Sequence, residues 1–390
     1  MRAYKDPHGL YDAAREGDGI YFDAAGKCWI VTDHAAARRI LSDPRYTSDL
    51  SFGDDGARRG GPTSFLQAAI QKQIIFSDGD RHRRVQQVIL RESAHKMQEM
   101  LPSIRSTACR LLEAAKRRGG FDLIRDFAMP FSLETISLVV GVPTGDPQQV
   151  ERLAQWSTTY ANVTSGFLLV RMQEITALGD YFRELVATRR DARSDDLIGA
   201  FLREGVFEDE EDLVINCMMA FAAGRVTTQK LLGDGVPALL PGWGRWREES
   251  RRNPGLARRL TDELLRIVTP TRYLARCAME DVDLSGELPG DHVIRRGEKV
   301  FLFLEAANRD PASFAHPHCM APERQPNPHI AFGFGPHRCP GASIARVEIQ
   351  IALEALLETF EELVPDPSAP PTWDPNPNLG GFASYRCLCS

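Results

Sequence analysis

From Phe332 to Gly341 the chain reads Phe-Gly-Phe-Gly-Pro-His-Arg-Cys-Pro-Gly, and then Ala342-Ser343-Ile344-Ala345-Arg346. Gly333 and Gly335 flank one aromatic, so the backbone can turn tightly with little side-chain obstruction. Pro336 and Pro340 fix φ on either side of Cys339. Beyond Gly341 the apolar residues Ile344, Val347, Ile351 and Leu353 to Leu357 recur at helical spacing. Cys339 therefore belongs to a stiff loop feeding a helix start. A thiolate there gains from free backbone N–H groups and from the positive end of the helix dipole. A lone cysteine is usually a small buried hydrophobe. The loop around this one favours a metal-bound sulfur instead.

The run resembles the haem-binding signature of the cytochrome P-450 family, with Phe332, Gly333, Gly335, His337, Cys339 and Gly341 all at signature positions. The resemblance implies a mainly α fold with small β-sheets, forming one domain over residues 1–390. It also implies a non-covalent haem b whose iron takes the Cys339 thiolate as axial ligand. Phe332 is expected to pack beside the sulfur, and His337 to reach a haem propionate.

Composition supports such a chain. It has 390 residues, 43% hydrophobic and 26% charged, with a formal charge of −6. That balance argues against a nucleic-acid partner. No apolar run approaches the roughly 20 residues of a membrane span. Residues 1–6 lack the apolar core of a signal peptide, so a cytoplasmic location away from membranes is expected. The eight cysteines are scattered without CxxC pairs, which suggests neither a zinc site nor a disulfide framework. Cys387 and Cys389 are expected on one face of a terminal strand.

Along the chain, residues 6–16 read as a short amphipathic helix. The runs at 20–22 and 28–31 form a hairpin signal around Asp23 to Gly26. Asp33 is placed to cap a helix over 35–41. Residues 46–77 read as a long loop with a short helix near 65–71, which the resemblance places over the haem. A helix starts at Ser77-Asp78-Gly79-Asp80 and carries Arg81, His82, Arg83 and Arg84. By resemblance His82 contacts a propionate. The arginine usual four residues later is Gln86 here, so Arg84 is the basic residue expected to assist. The same basic surface could steer an acidic redox partner. Further helices are read at 104–116, 131–140 and 147–159. A loop is read at 160–167, and another helix follows residues 168–170 and runs to 190. The segments around the 160–167 loop correspond to the roof of the family's substrate pocket.

Ser194 to Asp196 caps a helix at 197–203, and the longest apolar stretch runs from Leu213 towards Leu240. Within it, Ala223-Gly224-Arg225-Val226-Thr227-Thr228 resembles the family's oxygen-binding segment. Gly224 and Thr227 match its glycine and threonine. Val226 occupies the place of the acid that partners the threonine in proton delivery. Thr228 is expected to bond back to its own helix and Thr227 to be free for chemistry. Arg225 is expected to face outward, with the alternative that it anchors an acidic substrate group. The 256–268 helix carries Glu263 and Arg266 on one face. With Arg324 they match the family's buried Glu-x-x-Arg network, a structural role. Arg276 matches the arginine that holds a propionate, and Thr271, Leu274 and Phe382 are placed near substrate.

The implied activity is monooxygenation of a small organic substrate in bacterial secondary metabolism. It would use O2 and two electrons from a separate ferredoxin or flavodoxin. Val226 keeps open atypical oxidation, such as C–C or C–N coupling or ring formation, and so does action on an amino acid or peptide tethered to a carrier protein. A haem protein that binds ligand without turnover is the reading from another class.

Overall fold

In the computed structural model, residues 7–15, 17–52, 64–166, 171–190, 194–286 and 290–390 are described. The expectations that rest on Met1 to Asp6, Gly53 to Pro62 and Phe167 to Val170 lie outside them.

The helices are α1 His8–Arg15, α2 His34–Ser42, α3 Phe65–Gln71, α4 Gly79–Arg117, α5 Met129–Val140, α6 Pro147–Thr164 and α7 Met172–Arg190. They continue as α8 Leu197–Glu204, α9 Glu210–Leu239, α10 Trp243–Arg252, α11 Leu256–Val268, α12 Leu304–Ala307 and α13 Ala342–Thr359. Local chemistry sets many of their ends. Asp33 accepts from the Ala36 N–H, Asp196 from Gly199 and Asp209 from Asp212, each capping a first turn. Gly141 closes α5 at φ 92°.

Two expected boundaries move. The helices read at 77 onwards and at 104–116 are one, α4, with Pro102 inside it. The carbonyl that Pro102 leaves without its helical partner is that of Gln98, an exposed residue where water can serve. α6 continues to Thr164 where a loop was expected. α9 keeps its expected extent, running through Gly233 and Gly235 to Leu239, because burial outweighs the weak propensity of glycine.

A five-stranded sheet packs beside the helices in the order Ile20–Asp23, Cys28–Val31, Lys299–Phe303, Tyr273–Ala278, Tyr46–Thr47. Ile20 pairs with Val31 and Asp23 with Cys28, the antiparallel hairpin expected from sequence. Arg386–Cys389 is a strand, so Cys387 and Cys389 do share a terminal strand. Among the described residues no helix is long and apolar enough to cross a membrane.

The interior has two main cores. The larger lies among the helices and includes Phe127, Phe131, Phe182 and Phe221; the smaller, with Val31, Ile40, Leu302 and Ile330, backs the sheet. The Phe332–Gly341 loop joins them. Phe332 packs on the helical core and Phe334, two residues on, packs on the sheet core. α9 crosses the larger core against α5, α6, α7 and α11, and also touches α13.

Candidate haem site around Cys339

The two glycines of the loop have separate reasons. Both adopt φ of 70°, a conformation that side chains disfavour. A Cβ on Gly335 would also sit 2.5 Å from the Leu41 carbonyl of α2, so the loop approaches that helix backbone directly. The turn is pinned inside by the Cys339 N–H, which donates to the Phe332 carbonyl at 2.9 Å.

Cys339 keeps an accessible surface. Protein packed around the sulfur pushes the thiol up, while a hydrogen bond from the Gly341 N–H and the charges of Arg338 and Arg346 favour the thiolate. A Cβ on Gly341 would lie 3.8 Å from the sulfur, so the glycine keeps that side open. The guanidinium of Arg346 stacks over the Phe332 ring at 4.7 Å and pairs with Asp262 at 2.8 Å.

Three of the expected propionate contacts converge. His82 on α4 and His337 in the loop stack with ring centroids 3.9 Å apart. His82 is pushed down to about 4, first by burial and then by the nearby His337 and Arg276 charges. Arg276 is 6% exposed and donates to the Ala275 carbonyl. Burial pushes it down to about 10, and Asp78 acts on it only through space. Among the described residues no carboxylate forms an ion pair with it. His337 Nε2 lies 2.8 Å from Asp78 Oδ1. Burial opposes ionisation of Asp78, but hydrogen bonds from His337 and Thr47 outweigh it and hold the carboxyl well below the usual range.

Arg84 does not join them. It is exposed and lies two residues from His82, on a different face of α4. Gln86, one turn beyond His82, is the residue that reaches the loop. Its Nε2 donates to the carbonyls of Pro336 at 2.9 Å and Arg338 at 3.1 Å. The i, i+4 spacing from His82 was the signal available in the sequence. Asp78 was readable only as part of a helix start.

On α9 an accessible stripe interrupts a buried helix: Ala223 is exposed and Thr227 half-buried, while Phe221, Ala222, Arg225 and Val226 are buried. Thr227 donates to the Ala223 carbonyl at 2.7 Å. Thr228 donates instead to Glu348 of α13 at 3.2 Å. The expected roles of the two threonines as back-bonding and free residues are therefore exchanged, because Thr228 faces α13. Glu348 is 3% exposed and burial pushes it up to about 8.

Gly224 is small because α5 passes close by. A Cβ there would meet Ile136 Cδ1 of α5 at 2.3 Å. Arg225 faces inward, against expectation, and is 1% exposed. Its Nε donates to Ser157 at 2.8 Å, and its terminal nitrogens to Thr158 at 2.5 Å and Gln229 at 2.6 Å. These neutral oxygens from α6 and α9 let the guanidinium be buried. Val226 forms a small apolar cluster with Ala161 and Leu379.

Glu263 and Arg266 are fully buried and paired at 2.7 Å. Arg266 also donates to the carbonyls of Asn308, Pro317 and Cys319. Arg324 reaches Glu263 at 3.4 Å. The expected network is present, and it holds the segment that leads into the cysteine loop.

The donor set suits a haem. An accessible thiol sits in a rigid loop, and a buried cation without a paired carboxylate lies next to two histidines, as an anionic edge requires. The matches to known proteins agree. Residues 249–384 match the cytochrome P450 family model. The biotin biosynthesis cytochrome P450 of Bacillus subtilis (strain 168) is 31% identical over 366 residues, covering 92% of this chain and 90% of that protein. This chain belongs to the cytochrome P450 family, whose cofactor is a haem iron, and is an oxidoreductase of that family.

A further relative and a solved structure are also similar to it. Pentalenic acid synthase of Streptomyces avermitilis is 32% identical over 374 residues, covering 92% of this chain and 88% of that protein. The crystal structure of P450BioI in complex with hexadec-9Z-enoic acid ligated acyl carrier protein superposes with a TM-score of 0.88, at 28% identity and 100% coverage of both chains.

Proposed function

We propose that the protein is a haem-thiolate monooxygenase of bacterial secondary metabolism, holding haem b without a covalent bond. The observation that carries this is the accessible Cys339 sulfur, with the Gly341 N–H and two arginines favouring its thiolate. Cys339 would ligate the iron through its thiolate, and Phe332 would shield the sulfur. His82, His337 and Arg276 would hold the propionates, with Arg276 supplying the buried positive charge. Bound haem iron would supply the activation of O2 and the transfer of one of its oxygen atoms to a small organic substrate, the other leaving as water with the two electrons and two protons.

The accessible face of Ala223 and Thr227 lines the reaction side. The Thr227 hydroxyl hydrogen is engaged by the Ala223 carbonyl, so its oxygen is left to accept a hydrogen bond from the pocket. Val226 sits among apolar side chains and moves no proton. Protons then arrive through water, the substrate or Thr227, and coupling or ring closure is the alternative chemistry this favours. Electrons would come from a ferredoxin or flavodoxin docking near exposed Arg83, Arg84 and Arg338. A cytoplasmic location fits such a partner.

A second reading, action on a carrier-tethered substrate, is supported by the acyl carrier protein complex of the structural relative. One experiment separates the two. The ferric holoprotein is titrated with free amino acids, peptides, terpenoids and polyketides, and with carrier-tethered acyl and aminoacyl groups. The haem spin-state spectrum is followed. A shift with a free ligand supports a small soluble substrate. A shift only with tethered ligands supports the carrier reading. A ferrous–CO spectrum without the thiolate-ligated band would refute the haem-thiolate assignment itself.

A further inference from the structure

We infer that Gln86 is a positioning residue for Cys339, gripping the ligand loop by its main chain; the inference rests on the haem-thiolate reading above. The loop is exposed at Pro336 and Arg338, and Pro336 has no N–H with which to stiffen it. Gln86 Nε2 bridges the carbonyls of these two residues, which belong to the peptide unit entering His337 and to the one entering Cys339.

The second of those units matters most. The Arg338 carbonyl and the Cys339 N–H lie in one planar peptide. Gln86 holds its oxygen at 3.1 Å and the Phe332 carbonyl accepts from its nitrogen at 2.9 Å. The plane that enters the Cα of Cys339 is thus fixed at both ends. One turn back on the same face of α4, His82 stacks on the His337 ring. α4 therefore holds the loop by one side chain and by two carbonyls.

A glutamine suits this task. Its single –NH2 carries two donors at one point, enough for both carbonyls. Arginine, which the resemblance expects here, would also donate but would place a cation there. The global fold has little at stake, since these hydrogen bonds are solvent-exposed and water can replace them at small cost. What water cannot replace is the fixed direction of the peptide plane.

The test uses the haem-loaded protein. Ferrous–CO spectra of the wild type, Gln86→Met and Gln86→Arg are followed over time in dilute urea, beside their thermal unfolding midpoints. Methionine preserves length and removes both donors, whereas arginine restores N–H donors. The expected result is a severalfold faster loss of the thiolate-ligated band in Gln86→Met, with an unchanged unfolding midpoint and recovery towards the wild-type rate in Gln86→Arg. Loss of the band at the wild-type rate in Gln86→Met would overturn the inference. So would a loss that merely follows a lowered midpoint, or a Gln86→Arg protein that decays as fast as the methionine variant. A wild type lacking the band would overturn both this inference and the assignment beneath it.

Discussion

Glu348 makes the stability of this protein depend on pH in a direction opposite to that of most carboxylates. It is buried between α13 and α9, accepts one hydrogen bond from Thr228 and has no paired cation among the described residues. Burial pushes it from the ordinary 4.5 up to about 8. Its folded-state pKa lies above the unfolded value, so the unfolded chain releases this proton first. Folding then carries a cost that is absent below the unfolded pKa. It grows as pH rises from about 4.5 and levels off above about 8. At 1.36 kcal/mol per unit, the cost is about 1 kcal/mol at pH 5 and about 4 kcal/mol at pH 8. Glu348→Gln keeps the acceptor for Thr228 and removes the titration. Urea unfolding of both proteins should show Glu348→Gln gaining on the wild type by about 3 kcal/mol between pH 5 and pH 8. A difference that stays constant over that window would mean that Glu348 is ionised in the fold and that the reasoning from burial is wrong.

Two further substitutions test the scaffold. Glu263→Gln leaves Arg266 buried without its counter-charge, and urea unfolding should show a loss of about 3–5 kcal/mol; a loss below about 1 kcal/mol would show that the carbonyls around Arg266 suffice. Gly224→Ala should cost about 1–3 kcal/mol by forcing a methyl against Ile136. In an Ile136→Ala background the same change should become neutral or stabilising, because alanine is the better helix former; additive losses in the double variant would refute the contact as the cause.

The parts of the site legible in the sequence were those where one stretch carries its own constraint. The cysteine loop is local: its glycines, prolines and following helix restrict one another, and the structure holds Gly333 and Gly335 at φ of 70°. α11 was legible from its own pattern, and three-residue spacing brings Glu263 and Arg266 together; their burial was legible only through the resemblance that the cysteine loop carries. The directions of side chains on long helices were not. α4 reads as two helices because Pro102 is a strong local signal, and only packing along its length shows that it continues. Arg225 was read outward because a charged residue on an apolar helix usually is. The hydroxyls of Ser157 and Thr158, nearly seventy positions away, are what make its burial tolerable. Thr227 and Thr228 are adjacent and alike, so only the position of α13 tells them apart.

Both departures from the family pattern are matched by a contact elsewhere. At 226 the usual acid is a valine, and the residues it meets, Ala161 of α6 and Leu379 of the C-terminal region, are apolar. A carboxylate there would be buried without a partner, which is costly enough that the group would neutralise instead. At 86 the usual arginine is a glutamine, and the carbonyls within its reach belong to the ligand loop. The buried cation beside His82 is then Arg276, from the sheet. Changing either residue to the family's usual one would not simply restore the usual function. An acid at 226 would first disrupt the roof's contact with the C-terminal region, and an arginine at 86 would add positive charge beside Arg276, His82 and His337. Agreement among neighbouring positions, more than any single residue, is what lets this chain depart from the pattern and keep the fold.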